Sequence, residues 1–508
     1  MHLGMLSILT QRQELNLIEK NMVYRSFFMR KLKINKDAKI TGYVILEYIE
    51  KHKKEKNRLN KMYKYYNNDN EILNRSYKTK NKPQNKLAHS YASYITDVAI
   101  GYFLGKPISY TSSAKTTLET LNDIFKYNDE ADNNTTLAKY ESIFGYAYEV
   151  LYLDENLNIR FKAIDPRELI VVYDNTLQED IVFAIRYYNE NELVNNTIKE
   201  ITKVEVYRKP ILNDEGKIVL NGKIEYYTKN GNTLTLDDEK ECFFCDIPII
   251  TYINNDELYG DFEKVIQLID AYDKTQSDTA NDFEMFTHAV LVVSGSVVDE
   301  EDKKDLNDKY LINFINEEGK ADYLIKNIQD TALENYKNRL DNDIHKFSCV
   351  PNMSDESFSN NASGVSLAFK LMSLENKVGI KEAKFKKGLM RRIELICDYL
   401  KIKKGNEYSY TDIEPVFSRN KPSNEAESAE IMQKLTGILS QETIISLFPS
   451  IQDPQEEMEK IDKEKDSLFD DYDFNKISNE IKNKKDNLEN VDIKENEDRE
   501  GSTDVEEK

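Results

Sequence analysis

Apolar positions in the first part of the chain recur at the 3.6-residue period of an amphipathic helix. Val44, Ile45, Tyr48 and Ile49 share one face of a predicted basic helix between residues 41 and 70. Three further helices are predicted at residues 86–104, 116–127 and 135–148. We therefore expect the chain to open with a helical region.

The pattern then changes to short runs of β-branched and aromatic residues separated by turn residues, which is typical of strands. The predicted strands are 148–153, 159–164, 169–173, 181–188, 201–208, 217–220, 223–229 and 233–236. Asn230-Gly231 and the Asn-Asp-Glu-Gly sequence at 213–216 are hairpin turn signals. Together they predict an antiparallel β region after the helices.

Long helical patterns return after residue 260. Helices are predicted at 260–286, at about 331–347, from 364 onward, and as a pair near 424–447. Strand-like segments at 289–298 and 310–315 form a compact insert, and a polar Ser/Asn-rich loop at 351–363 precedes the long third helix. After Pro454 the sequence is charge-dense and poor in aromatics, which predicts disorder or a loose helix. The predicted fold class is α+β, with long helices plus an antiparallel β region.

The composition is that of a folded protein with several packed units. The 508 residues exceed one ordinary domain, so two to four units are expected. A hydrophobic content of 40%, with 21 Phe and 32 Tyr, is enough for a core. Four cysteines, Cys242, Cys245, Cys349 and Cys397, are too few for a disulfide scaffold and indicate a reduced compartment. No apolar run approaches the roughly 20 residues of a membrane span, and we interpret the apolar patch in residues 1–10 as an extension, not a signal sequence.

Charge is distributed unevenly along the chain. The total is −21, but residues 1–90 carry 20 Lys and Arg against 8 Asp and Glu, whereas residues 451–508 carry 10 against 21. An acidic total argues against broad neutralisation of phosphates as the main function. It is compatible with a protein past which nucleic acid slides.

Three short motifs resemble ligand sites but depart from them. Gly101–Lys106 has three residues between its glycines and is followed by Pro107, so it predicts a helix end and turn, not a phosphate loop. The Asp-x-Asn-x-Asn sequence at 154–158 lacks the glycine and final Glu of a calcium loop and predicts a hairpin turn. Cys242 and Cys245 form a lone CxxC pair without further zinc ligands in suitable spacing, which predicts two small buried thiols. We expect no cofactor, no metal and no catalytic residues.

A basic face on the long helix has two interpretations. It comprises Lys381, Lys384, Lys386, Lys387, Arg391 and Arg392. It is either a solvated face paired with Glu382 and Glu394, or a face that meets acidic neighbours or DNA.

Four stretches, taken in order, carry a resemblance to a known family. They are residues 101–110, 161–169, 247–255 continuing into 260–272 and 276–283, and 363–371 with 374–376 and 385–387. Together they resemble the portal family of tailed bacteriophages, in the branch common among phages of Gram-positive bacteria. The resemblance covers roughly residues 40–450 and leaves 1–34 and 456–508 unmatched.

The resemblance implies a phage portal fold with wing, stem, clip and crown regions. Its expected segments are an N-terminal extension at 1–34, wing at 35–258, stem helices at 259–287 and 329–347, clip at 288–328, tunnel loop at 348–363, long wing helix at 364–396, crown at 397–455 and an acidic, disordered tail at 456–508.

The same resemblance implies a non-enzymatic subunit of a ring, twelve-membered in the virion, at one capsid vertex. Double-stranded DNA would pass through the ring. The implied partners are further copies of the chain, the terminase packaging motor, the head–tail adaptor, and the major capsid and scaffold proteins, with no membrane. The implied location is the virion, after assembly in the host bacterial cytoplasm. The alternatives are another phage head–tail structural component or a nucleic-acid enzyme.

The candidate channel loop has a distinct charge pattern. No Lys or Arg lies between Lys346 and Lys370, whereas Asp355 and Glu356 are both present. A loop without cations would guide DNA without holding it, because cations that neutralise phosphates tighten binding. The candidate loop residues are Met353, Ser354, Asp355, Glu356, Ser357, Phe358, Ser359, Asn360 and Asn361. The alternative is a plain solvent-exposed linker.

Overall fold

The computed structural model divides the chain into two compact units, residues 1–421 and 422–508. The structure describes residues 31–76, 83–194, 196–212, 218–286, 290–294, 320–324, 330–354, 364–405, 408–420, 425–446, 448, 451 and 454–471. The described part is a mixed helix and strand fold of the α+β class, as predicted.

Ten α-helices are assigned within these residues. They are α1 (Gly42–Tyr66), α2 (Tyr91–Leu104), α3 (Lys115–Tyr127), α4 (Glu130–Phe144), α5 (Ile266–Phe286), α6 (Asp330–Ser348), α7 (Gly364–Lys404), α8 (Glu425–Leu435), α9 (Gln441–Ser446) and α10 (Pro454–Asp471). In the second unit, α9 packs against both α8 and α10.

Fifteen strands are assigned among the described residues of the first unit. They are β1 (Leu32–Lys33), β2 (Ser109–Ser112), β3 (Tyr146–Leu153), β4 (Ile159–Ile164), β5 (Leu169–Tyr173), β6 (Ile181–Val194), β7 (Thr197–Arg208), β8 (Ile211–Leu212), β9 (Ile218–Leu220), β10 (Gly222–Asn230), β11 (Thr233–Cys242), β12 (Ile249–Ile253), β13 (Val290–Ser294), β14 (Lys320–Leu324) and β15 (Ile413–Val416). The largest sheet has the order β1-β5-β6-β7-β10-β11, and a three-stranded sheet has the order β12-β3-β4.

The six-stranded sheet buries one face against α1. Ile45 and Ile49 from α1 meet alternate residues of the central strands, including Phe183, Ile185 and Val206. This spacing of two is what a strand requires to place apolar side chains on one face. The predicted apolar face of α1 is therefore the face that covers this sheet.

The main core lies around the three-stranded sheet. Helix α7 packs on β12, and α4 packs on β3 and on α2. Gly388 permits the close approach of α7, since a Cβ there would lie 2.4 Å from the ring of Tyr252 in β12. Phe385, one turn earlier, stacks at a tilt on the same ring with centroids 4.9 Å apart.

Helices α5 and α6 pack together and flank the hairpin formed by β13 and β14. The strand-like segment predicted at 289–298 corresponds in part to β13. The segment predicted at 310–315 lies outside the described residues, as does most of the predicted clip.

Several predicted boundaries are wrong, each for an identifiable reason. The helix predicted at 86–104 begins only at Tyr91, because side chains of α5 bind the preceding backbone: the amide of Leu87 donates to Ser277 Oγ at 2.9 Å and that of His89 to Asp273 Oδ1 at 2.9 Å. The helix predicted at 135–148 is α4, and it ends at Phe144 because Gly145 adopts a left-handed φ of 92°.

Other elements are longer than predicted. Helix α7 continues to Lys404, past the predicted end at 396, because no proline or glycine lies between residue 396 and Gly405. Strands β6 and β7 extend to Val194 and Thr197 as a polar ribbon that lacks a core face. Residues 454–471 form α10, which agrees with the helical alternative predicted after Pro454 and not with disorder over this part of the tail expected at 456–508. Strands β4 and β5 have the predicted bounds.

The Gly388→Ala substitution should destabilise the fold by about 1–3 kcal/mol, because the methyl group overlaps a buried ring that cannot move aside. Gly379→Ala is the control on the same helix, where a Cβ meets nothing within 4 Å. That control should instead stabilise by about 0.5–1 kcal/mol, the usual helix preference for Ala over Gly. Denaturant unfolding of both variants gives the comparison, and equal effects of the two would contradict the packing of α7 on β12.

Candidate functional site

The candidate channel loop starts at the C-terminus of α6, and its first residues are fixed by the fold. Helix α6 ends at Ser348, and Cys349 follows with a left-handed φ of 61°. Val350 is fully buried and anchors the exit of the chain. Of the nine candidate loop residues, Met353 and Ser354 are described. The other seven, Asp355 to Asn361, lie outside the described residues.

Tyr94 of α2 holds this exit segment by two hydrogen bonds. Its hydroxyl donates to the carbonyl of Pro351 at 3.1 Å and accepts from the amide of Met353 at 2.7 Å. Both groups belong to irregular backbone, where no helix or sheet would satisfy them. The start of the loop is thus attached to α2, a helix more than 250 residues earlier in the chain.

His345 of α6 contributes a second attachment. Its Nδ1 lies 3.0 Å from the carbonyl oxygen of Val350, and its ring meets those of Tyr91 and Tyr94 edge to face. The hydroxyl of Tyr91 donates to Asp341 at 2.6 Å, and burial together with this carboxylate raises the pKa of Tyr91 strongly. This aromatic cluster packs α6 against α2.

Lys377 of α7 caps the end of α6. Its ammonium donates to the carbonyl of Ser348 at 2.8 Å and lies 3.1 Å from Asp261 Oδ1. A cation at this position complements the negative end of the helix dipole as well as an orphan carbonyl. The start of the loop therefore contacts both α2 and α7.

Asp261 is the centre of a buried polar cluster beneath this cap. It accepts from Lys381 at 3.0 Å, from Ser142 at 2.6 Å and from Asn254 at 3.0 Å. Burial works against the charged form, but Lys377 and Lys381 hold the pKa of this carboxyl well below its usual range. The cluster joins α4, α7 and the segment between β12 and α5.

Glu141 lies beside this cluster without a partner among the described residues. It is fully buried, and neither of its carboxylate oxygens has a hydrogen bond. Burial raises its pKa to about 8; the charge of Lys381 lowers it less, and that of Asp261 adds to the increase. At neutral pH Glu141 is therefore mainly a neutral acid.

The start of α5 is fixed to the N-terminal region by the buried Asp273 and the half-buried Asp270. Asp273 Oδ1 lies 2.7 Å from His89 Nδ1, and Asp273 Oδ2 accepts from Asn70 at 2.6 Å. Tyr65 of α1 donates to Asp270 at 2.5 Å. These contacts attach α5 to α1 and to the segment before α2.

The basic face of α7 meets acidic neighbours within the chain, and Glu394, one of the two acids expected for a solvated face, is among them. Lys381 binds Asp261, and the remaining pairs are Lys384 with Asp256, Lys386 with Glu414, Arg391 with Asp246 and Glu394, and Arg392 with Glu130 and Glu149. Lys387 is exposed. Five of the six predicted cations thus make ion pairs within the chain.

Arg392 is the most deeply buried of these cations. It is 0% exposed, binds both oxygens of Glu149 at 2.7 and 2.9 Å, and donates to Glu130 at 2.9 Å and to Asn134 at 2.8 Å. Burial disfavours the charge, yet Glu149 and Glu130 keep the pKa of Arg392 well above its ordinary value. Glu149 also accepts from Tyr252 at 2.8 Å.

The three short motifs that resemble ligand sites form a helix end, a hairpin turn and a pair of free thiols. Helix α2 ends at Leu104, and a Cβ on Gly105 would collide with the carbonyl of Gly101 at 2.2 Å, as expected for a tight helix end. Asp154 accepts from the amides of Asn156 and Asn158 in the β3–β4 turn, which confirms the predicted hairpin. Cys242 is buried, whereas Cys245 is only partly buried.

No arrangement of three or more His, Cys, Asp or Glu side chains that could hold a metal is found among the described residues. Within the same residues, no helix is long and apolar enough to cross a membrane.

The polar clusters have one effect in common, which is to fix long helices against a β core and to attach the start of one loop. Among the described residues, these clusters hold the fold together. The chain belongs to the phage portal protein family: the sequence model described as "Phage portal protein, SPP1 Gp6-like" matches residues 45–468. The match confirms the resemblance and extends it beyond residue 450 into α10.

Two relatives cover most of the chain. The portal protein of Bacillus phage SPP1 is 28% identical over 393 residues, which is 75% of this chain and 76% of the relative. The portal protein of Clostridium phage phiCD119 is 25% identical over 419 residues, 77% of this chain and 89% of the relative. Both phages infect Gram-positive bacteria, and the family is one of structural virion proteins.

The Tyr94→Phe substitution should release the start of the loop without unfolding the protein. The amide of Met353 and the carbonyl of Pro351 lose their partner, at a cost of about 1–2 kcal/mol. Hydrogen exchange at Met353 should become at least several-fold faster. Tyr43→Phe, which changes a tyrosine that is 77% exposed, is the control. Unchanged protection of Met353 in Tyr94→Phe would contradict the attachment.

The Glu141→Gln substitution should change the pH dependence of stability. The folded-state pKa of about 8 lies above the usual value near 4.5. The contribution of the neutral Glu141 to the free energy of unfolding is therefore fully present below about pH 4.5 and is lost as the pH rises through 8. The amide cannot ionise, so this variant should be more stable than the wild type at pH 9 by up to about 5 kcal/mol, with a difference of less than about 1 kcal/mol at pH 5.

Unfolding by denaturant at pH 5 and pH 9, at one protein concentration, measures this difference. Asp132→Asn changes an exposed acid of the same helix and should behave like the wild type at pH 9. If the difference in unfolding free energy between the wild type and Glu141→Gln were the same at pH 5 and pH 9, Glu141 would ionise as freely in the folded protein as in the unfolded chain.

Proposed function

We propose that the chain is one subunit of a closed ring, twelve-membered in the virion, through which double-stranded DNA is packaged and ejected. Membership of the portal family supports a structural portal subunit that assembles with itself and works with capsid and packaging proteins. The ring number, the channel and the individual partners are parts of the proposal.

The observation that carries the proposal is the continuity from α5 and α6 into the candidate loop. The two helices pack together, and α6 leads directly into an exit segment attached by Tyr94 and Lys377. From residue 347 to 369 that stretch has no Lys or Arg. A rigid helix pair ending in a cation-free loop is what a channel needs at its narrowest point, where DNA must move and not stick.

Helix α5 has a composition that suits a channel wall. Its charged residues are Asp270, Asp273, Asp278, Asp282, Glu284 and a single Lys274. Asp273 is buried, Asp270 accepts from Tyr65 and Asp278 pairs with Arg75; all of the acids except Asp273 are at least partly exposed. An acidic wall repels phosphates, so it lowers the affinity of the channel for the DNA that passes.

The segments of the proposal follow the predicted order. The wing comprises 35–258 and α7, the stem 259–287 and 329–347, the clip 288–328, the tunnel loop 348–363, and the crown the residues after α7 to about 455. Because α7 continues to Lys404, we propose that the crown starts at about 405 instead of 397. The clip would meet the terminase motor and later the head–tail adaptor, during assembly in the host cytoplasm.

The test combines ring assembly with a charge reversal in the loop. The purified chain should form a species of ten or more subunits by native mass measurement and rings in electron micrographs. Changing Asp355→Lys and Glu356→Lys together should leave the rings intact but slow or stall DNA packaging into proheads, because cations repeated around the ring would hold phosphates.

The matched control reverses two exposed acids elsewhere, Glu155→Lys and Glu257→Lys. It adds the same charge and should package normally. Normal packaging by the loop variant, with rings confirmed, would exclude the tunnel-loop assignment. A chain that remains monomeric at micromolar concentration would exclude the ring itself.

A further inference from the structure

The β6–β7 hairpin protrudes from its sheet as an unsupported ribbon. Strand β5 pairs with β6 only up to Arg186, and β10 pairs with β7 only from Thr202 onward. Among the described strands, residues 190–194 and 197–201 pair only with each other, over about 15 Å of strand. Two-stranded ribbons are marginally stable in water unless something covers them.

The tip of this ribbon presents an apolar pair. Leu193 and Ile198 face each other across the two strands and are 72% and 71% exposed. The rest of the ribbon is acidic, with Glu190, Glu192 and Glu200 against Lys199. An exposed apolar pair at the end of an acidic arm is a protruding contact element.

The same unit contains a cavity, a concave site that could receive such a protrusion. It has a volume of about 360 Å³, and its apolar lining includes Ile124, Tyr127, Leu157, Tyr399 and Leu400. A cavity of about 150 Å³ can hold benzene, so this one has room for the ends of two branched aliphatic side chains. Lys403 and Lys404 lie at its rim against one acid, Asp123.

Leu157, which lines this cavity, has a strained backbone conformation and an exposed side chain. It has a φ of 58°, a conformation that Gly or Asn adopts more readily, and its side chain is 52% exposed. Tyr399 and Lys403 of α7 both donate to its carbonyl, at 3.0 and 2.6 Å, and hold the strained turn. Strain together with an exposed leucine indicates a function outside the isolated subunit.

We propose that the apolar tip of the β6–β7 ribbon of one copy of this chain inserts into the cavity at Leu157 of the neighbouring copy. The inference rests on the proposed ring. The tip is exposed in its own subunit, and the acidic ribbon complements the lysines at the rim. Each copy has one protrusion and one cavity, which is the heterologous pairing that a ring of identical subunits requires.

Cysteine cross-linking of the full-length chain tests the contact directly. A chain with Leu193→Cys and Leu157→Cys should form covalent multimers on mild oxidation, seen as a ladder on a non-reducing gel. Each single variant should stay monomeric on the same gel. The control pairs Leu193→Cys with Leu177→Cys, which replaces a fully exposed leucine that does not line the cavity, and should give no ladder.

Two further variants measure the effect on assembly. Leu193→Ser with Ile198→Ser should raise the concentration needed for ring formation at least ten-fold with an unchanged monomer melting temperature. Leu157→Asn relieves the backbone strain, so it should weaken assembly while leaving the melting temperature equal or higher. A purely structural role for Leu157 would instead lower the melting temperature and leave assembly alone.

The outcomes separate this inference from the proposed function. One outcome is that the wild type forms rings while the Leu193–Leu157 cysteine pair gives no ladder and the serine variant assembles normally. That result would overturn the ribbon contact and leave the proposed ring intact. A wild-type chain that never assembles would overturn both.

Discussion

The burial of one guanidinium group constrains the whole first unit. Arg392 has no access to water, so its charge must be matched inside the core, and Glu149 and Glu130 are the groups that match it. These partners lie on β3 and α4, more than 240 residues earlier in the chain. Because an unpaired buried charge costs several kcal/mol, α7 has one position on the three-stranded sheet in which it can pack.

The cluster around Asp261 extends this constraint to the candidate loop. Lys381 enters the cluster from the same helix as Arg392, and Lys377 continues it to the end of α6. A displacement of α7 would therefore change the exit of the loop as well as the core. Glu141 beside the cluster stays mainly neutral, because its burial outweighs the attraction of Lys381 and the charge of Asp261 opposes a second carboxylate there.

The sequence predicted the order of elements and the family, and it failed where polar residues are buried. The start of α4 was predicted five residues too late. The reason is that Glu130 and Asn134 look like surface residues in the sequence, whereas in the structure both are buried beside Arg392. The signal for Arg392 was present: it lies seven residues after the buried Phe385, on the same helical stripe. The ribbon beyond Tyr188 could not be predicted from the sequence. Neither of its faces packs on the core, so its residues do not alternate between apolar and polar as those of a half-buried strand do.

These features fit together if the subunit must act as a stiff body. A ring closes only when the angle between the two neighbour-facing surfaces is the same in every copy, and an error in that angle accumulates around the ring. Apolar packing alone tolerates small shifts, whereas a buried ion pair with fixed hydrogen-bond directions does not. We infer that the clusters at Arg392 and Asp261 contribute geometry more than net stability. A channel loop held by Tyr94 and Lys377 would then keep the same position in every subunit, as a uniform opening around DNA requires.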